Sequence, residues 1–162
     1  MTLEEQIVDP EARLQHALDV AYRYLGHRDR TVVEVRRQLE HKRVEPATID
    51  EAVAELEQQG YLDDARYAQR FAEDRRTLDA WGADRIQRKL RAVGVDGELI
   101  EAALREQDGA GEREAAVALL RRRFPSPPVT DRDRDRALGV LIRKGYDLEL
   151  AHEAIRAVGR PD

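Results

Sequence analysis

Apolar residues recur along this chain with helical spacing. Leu14, Ala17, Leu18, Ala21, Tyr22 and Leu25 follow the i, i+3, i+4, i+7 pattern of one helix face, and Gly26 ends it. Thr31 stands three residues before Glu34, the capping-box spacing, so a second helix is predicted to start there and turn Val32, Val35 and Leu39 inward. Glu45-Pro46 opens a third helix, because Pro is tolerated at the first helical position. That helix buries Ile49, Ala52, Val53 and Leu56 and stops near Gly60. Tyr67, Ala68 and Phe71, then Ile86 and Leu90, then Ile100, Ala103 and Leu104 repeat the plan. Asp108-Gly109-Ala110-Gly111 is expected to be a joint, after which Ala115, Leu119 and Leu120 start a third copy. Phe124-Pro125-Ser126-Pro127-Pro128 interrupts it, since helix cannot run through those prolines. Thr130 and Asp133 then restore the cap spacing before Leu138, Leu141 and Ile142.

The copies share a register of 51 residues: Leu39, Leu90 and Leu141; Ala52, Ala103 and Ala154; Val53, Leu104 and Ile155. Val44, Val95 and Tyr146 fall in step, followed by Glu45, Asp96 and Asp147. Gly94 matches Gly145, but the first copy has Arg43 there. Several columns in one register predict an all-α fold of three tandem three-helix repeats of about 50 residues. The expected divisions are an acidic N-terminal segment over 1–13 and repeats over 14–60, 61–108 and 109–162, the last carrying the Pro-rich break at 125–128. Units this small are expected to stack on their neighbours, giving an elongated, curved array with one extended binding face.

Composition narrows the class. Hydrophobic residues reach 41% beside 38% charged and only 5% aromatic, which favours helical cores over disorder or sheet. There is no Cys, which excludes disulfides and thiol chemistry. The start, Met1-Thr2-Leu3-Glu4-Glu5, lacks the basic-then-apolar pattern of a secretion signal, and no apolar run reaches the roughly 20 residues that span a bilayer. The expectation is a soluble, cytoplasmic monomer with no membrane contact.

The net charge of −5 argues against a general nucleic-acid polycation, yet charge is sorted by helix. Second helices are basic: Arg36 and Arg37 in the first repeat, Arg85, Arg88, Lys89 and Arg91 in the second, and Arg136, Arg143 and Lys144 in the third. Third helices are acidic, as in Glu45, Asp50, Glu51, Glu55 and Glu57. One reading makes these solvated faces whose exposed ion pairs contribute little. The other makes the second helices a basic stripe that meets an acidic partner or phosphates, and recurrence in three repeats favours it.

No catalytic constellation, cofactor loop or metal site emerges. Ser126 is the only Ser, and His16, His27, His41 and His152 lack ligand spacing. Asp63-Asp64 reads first as helix capping, with paired-carboxylate chemistry as the alternative. Trp81-Gly82 is either an exposed anchor for a partner or a lock between helices.

The stretch Gly60-Tyr61-Leu62-Asp63-Asp64-Ala65-Arg66-Tyr67-Ala68 resembles the signature of the RecX family. Trp81-Gly82-Ala83-Asp84-Arg85-Ile86 with Leu90 and Gly94-Val95 resembles that family's second repeat. Arg30-Thr31 with Glu34, Arg37 and Leu39 resembles the first, and Ile142-Arg143-Lys144-Gly145-Tyr146 the closing one. The resemblance spans about residues 14–158 and departs from the pattern at Arg43 and at the Pro-rich break. It implies a non-enzymatic regulator that binds RecA filaments on single-stranded DNA. It further implies inhibition of filament growth, ATPase, strand exchange and co-protease activity, hence a part in the SOS response and recombinational repair. Weak contact with single- or double-stranded DNA is compatible with that role. A direct DNA-binding helical module and a generic helical adaptor are the competing readings.

Overall fold

A computed structural model of the chain describes residues 9–105 and 109–160. Among the described residues it holds nine α-helices and no strand. They are α1 (Pro10–Leu25), α2 (Val32–His41), α3 (Pro46–Gln58), α4 (Asp64–Asp79), α5 (Ala83–Ala92), α6 (Gly97–Arg105), α7 (Gly109–Arg123), α8 (Asp131–Lys144) and α9 (Leu148–Val158).

Local chemistry sets most of the boundaries. Asp9 caps α1 and Pro10 occupies its first turn, so the helix starts inside the residues expected to form a separate N-terminal segment. The Thr31–Glu34 capping box is complete, with both reciprocal bonds present. Thr130 accepts from the Asp133 N–H to open α8, and Asp147 accepts from Leu150 N–H to open α9. One expectation is corrected: Gly109 to Gly111 are helical and lie in the first turn of α7, since glycine's helix penalty of about 1 kcal/mol does not bar it from a helix start. Asp108 lies outside the described residues.

The chain divides into two compact units, the first ending at Tyr67 but including Val93–Asp96, the second holding Ala68–Ala92 and everything from Gly97. Within the first, Ala17, Leu18 and Ala21 of α1 pack with Val35 and Leu39 of α2 and Ile49, Ala52, Val53 and Leu56 of α3. Within the second, Ala116, Leu119 and Leu120 of α7 meet Ala137, Val140 and Leu141 of α8 and Ala151, Ala154 and Ile155 of α9. The 51-residue register holds in three dimensions: Leu39, Leu90 and Leu141 are each fully buried, as are Ala52 and Ala154, with Ala103 nearly so. Arg43, Gly94 and Gly145 all have left-handed backbone, φ 62°, 88° and 99°. No described helix is long and apolar enough to cross a membrane.

Candidate functional site

The residues of the sequence signature converge on two joints of the same design. In the first unit, Asp63 caps its own helix, its carboxylate accepting from Arg66 N–H at 3.1 Å. Asp64 turns the other way and accepts from Val32 N–H at 3.0 Å, so a carboxylate of α4 caps α2. Burial raises the Asp64 carboxyl above its ordinary value, partly opposed by that Val32 bond. Thr31, wholly buried, accepts from Glu34 N–H at 3.2 Å and donates its own hydroxyl proton to the Val93 carbonyl at 2.5 Å. Gly94 then lies against α2, where a Cβ would overlap the Val33 side chain. This contact explains why the first unit takes in Val93–Asp96. Arg66 closes the signature by donating to the Gly60 carbonyl at 2.7 Å, while the half-buried phenol of Tyr67 meets the Arg28 guanidinium.

The second unit repeats the device one register on. Glu112 of α7 accepts from Ala83 N–H at 2.7 Å, capping α5 as Asp64 caps α2. Gly82 N–H donates to the Lys144 carbonyl at 2.8 Å and Asp84 N–H to the Gly145 carbonyl at 3.0 Å. The two backbones approach so closely that a Cβ on Gly82 would overlap Gly145, and a Cβ on Gly145 would overlap Arg85. Trp81 is half-buried beside this joint, edge-on to Phe71 with centroids 6.0 Å apart. The Arg85 guanidinium covers its ring at 4.1 Å and also donates to the Arg143 carbonyl at 3.2 Å. Trp81 is therefore a lock and not a free anchor. Tyr146 donates its hydroxyl proton to the Ala80 carbonyl at 2.8 Å, and burial pushes its pKa up to about 12.

The cations of the basic helices divide into two groups. Arg85 is engaged as described, and Lys144 donates through Nζ to the Asp79 carbonyl at 2.9 Å, so both side chains serve the fold. Arg36 pairs with Asp50 of α3 at 2.8 Å, the intra-unit attraction expected of a solvated face. Arg37, Lys89 and Arg91 are exposed, and Arg88 is exposed with its Nε bonded only to the carbonyl of Asp84 in its own helix. Arg136 and Arg143 are exposed on α8 and line one groove. Among the described residues, no group of three or more His, Cys, Asp or Glu converges as a metal site would require.

Residues 17–56 match the sequence model of the first three-helix domain of RecX, and residues 63–104 that of the second. The regulatory protein RecX of Trichlorobacter lovleyi is 38% identical over 137 residues, which cover 82% of this chain and 89% of that protein. The regulatory protein RecX of Amycolatopsis mediterranei is 32% identical over 149 residues, covering 91% and 85%. The chain belongs to the RecX family. The crystal structure of RecX from Lactobacillus salivarius has the same fold, with a TM-score of 0.79 over 90% of this chain and 96% of that one, at 21% identity. The two RecX domains coincide with α1–α3 and α4–α6, and the family motif residues Asp64 and Gly82 are the ones that build the joints of this RecX chain. Sequence reasoning missed Thr31 as a joint residue, Glu112 as a cap and Arg123 as a groove residue. The 51-residue match of Thr31 to Gly82 was the only available signal, because a carboxylate such as Glu112 acts on a backbone 29 residues away.

Proposed function

We propose that this RecX-family regulator works without chemistry of its own, as a cytoplasmic monomer that binds RecA filaments on single-stranded DNA. Bound along a filament, it limits subunit addition and so lowers the ATPase, strand-exchange and co-protease activities. Family membership carries this reading, since the relatives that match over most of the chain are named regulatory protein RecX. The exposed cations supply a means: Arg88, Lys89 and Arg91 sit within four residues of α5, and none makes an ion pair among the described residues. Exposed charge of this kind acts on encounter rate and register. Arg37, Arg136 and Arg143 extend the same role, whereas Arg36 is paired with Asp50 and Arg85 and Lys144 hold the joint that presents it.

The test is RecA's single-stranded-DNA-dependent ATPase rate, titrated with the wild-type chain and with an Arg88→Ala/Lys89→Ala/Arg91→Ala variant that leaves Arg85 in place. Inhibition below one copy per RecA is expected. At about 0.5 kcal/mol per exposed contact, the variant should need roughly tenfold more protein. An unchanged rate at excess wild-type protein would remove the RecA assignment and leave the adaptor or DNA-binding reading.

A further inference from the structure

The second unit contains a basic groove that the joints do not use. It is a cleft of about 250 Å³ between the end of α7 and α8, lined by Arg123, Phe124, Asp135, Arg136, Gly139 and Arg143. Three guanidinium groups face one carboxylate there, and none of the three makes an ion pair among the described residues. Concentrated like charge repels itself and lowers stability unless an anion relieves it. One contact and one clearance bear on the arginines. The Arg136 guanidinium lies 5.7 Å from the Phe124 ring centroid. Gly139 leaves room for Arg143, whose Nη1 would stand 3.0 Å from a Cβ at that position.

The layout distinguishes among anions. Arg136, Gly139 and Arg143 are spaced three and four residues apart, so they share one face of α8. That face rises about 10 Å from Arg136 to Arg143, which suits a repeating anion better than a single one. The groove offers no free apolar floor, since Val140 is buried and Phe124 packs against the core. A folded protein partner would gain little there by burying apolar surface, whereas arginine forks fit phosphate bidentately. We propose that the Arg123–Arg136–Arg143 groove binds the sugar-phosphate backbone of nucleic acid. For its biological setting this rests on the filament reading, with the groove engaging the strand on which the filament is built; the contact itself is tested without RecA.

The experiment is fluorescence anisotropy of an end-labelled oligo(dT) titrated with the full chain between 50 and 200 mM salt. The variants are Arg123→Ala/Arg136→Ala/Arg143→Ala and a charge-matched control, Arg23→Ala/Arg105→Ala/Arg113→Ala, taken from exposed positions outside the groove. The groove variant should bind at least tenfold more weakly and lose about two from the log–log salt slope, the share of three single-strand phosphate contacts. Its melting temperature should not fall below the wild-type value, since mutually repelling charges are removed, and the control should keep its affinity within about twofold. Unchanged binding in the groove variant, or equal loss in the control, overturns the proposal. Competition by poly-glutamate as strong as by oligo(dT) at equal charge would overturn the nucleic-acid assignment in favour of acidic peptide. A phosphate-dependent rise in melting temperature lost in the groove variant, with oligonucleotide binding unaffected, would make it a site for free phosphate and equally overturn it. RecA's ATPase rate separates the two levels. If wild-type protein leaves that rate alone while the groove variant loses oligonucleotide affinity, the groove stands and the filament reading falls. The reverse pattern does the opposite.

Discussion

Arg43 holds a left-handed backbone at the register position where the other repeats have glycine. Gly94 and Gly145 need their missing Cβ because a helix of the same unit presses on them, while Arg43 is exposed and pays only the conformational penalty. Arg43→Gly is therefore expected to stabilise the chain by about 1 kcal/mol in urea unfolding, despite glycine's greater freedom in the unfolded state. Two titrating residues give pH signatures of the same sign in different ranges. The Asp64 carboxyl is raised above its ordinary 3.8 by burial. Its folded state thus favours the proton, and the associated stability is present below 3.8 and lost as pH rises through the folded value. Asp64→Asn keeps an acceptor for Val32 N–H without the charge, so its melting temperature should gain on wild type between pH 3.5 and 7. Asp64→Ala should lose about 1 kcal/mol of cap at neutral pH. For Tyr146, raised to about 12, stability is present below the ordinary 10.0 and falls as pH climbs from there through 12. Tyr146→Phe should flatten that alkaline loss and cost about 1 kcal/mol at pH 7, because the Ala80 carbonyl loses its donor.

At the scale of elements, three glycines with positive φ make a graded test of the joints. A Cβ on Gly60 meets nothing within 4 Å, so Gly60→Ala should cost only the backbone term, about 1 kcal/mol. Gly94→Ala and Gly145→Ala add overlap with Val33 and Arg85 and should cost about 2–3 kcal/mol in the same assay. Equal losses at all three would mean that the turns do not bear on the preceding helices. The helices themselves were legible in the sequence, because apolar spacing and the Thr31–Glu34 and Thr130–Asp133 caps are local signals. The joints were only half legible. The register found Gly94 and Gly145, but the reason for them lies 61 and 60 residues upstream in Val33 and Arg85, which no periodicity connects. The start of α7 was misjudged because glycines at 109 and 111 imitate a linker, while glycine disfavours helix by only about 1 kcal/mol. The basic character of the second helices was legible as composition, but the accessibility of each cation was not. Arg85 and Lys144 spend their reach on the carbonyls of Arg143 and Asp79, and a long side chain's partner is set by tertiary structure.

For the molecule as a whole, the balance of −5 conceals where its cations stand. Arg88, Lys89 and Arg91 lie exposed on α5, and Arg136 and Arg143 on α8, while Arg36 is neutralised by Asp50 and Arg13 by Glu45. A partner attracted by the unpaired cations must approach against the repulsion or attraction of the remaining surface, and salt screens both. The two contributions separate with distance. At 0.15 M salt the screening length is about 8 Å, so the long-range field of the net charge is already damped while contacts at the cation clusters persist. Inhibition of RecA should therefore weaken steeply as salt rises from 50 to 200 mM if phosphates or carboxylates are touched directly. The slope should flatten in the Arg88→Ala/Lys89→Ala/Arg91→Ala variant by the share of those contacts. A charge-neutral change elsewhere, such as Glu57→Gln with Arg105→Gln, alters neither the net charge nor the cation clusters and should leave the slope alone. The measurement is the half-inhibitory concentration in the RecA ATPase assay at each salt, corrected for the effect of salt on RecA without inhibitor. A slope that is the same in wild type and cluster variant would move the interaction off α5, to the α8 cations Arg136 and Arg143 or to apolar side chains such as Leu78 and Val129, which stand 73% and 70% exposed.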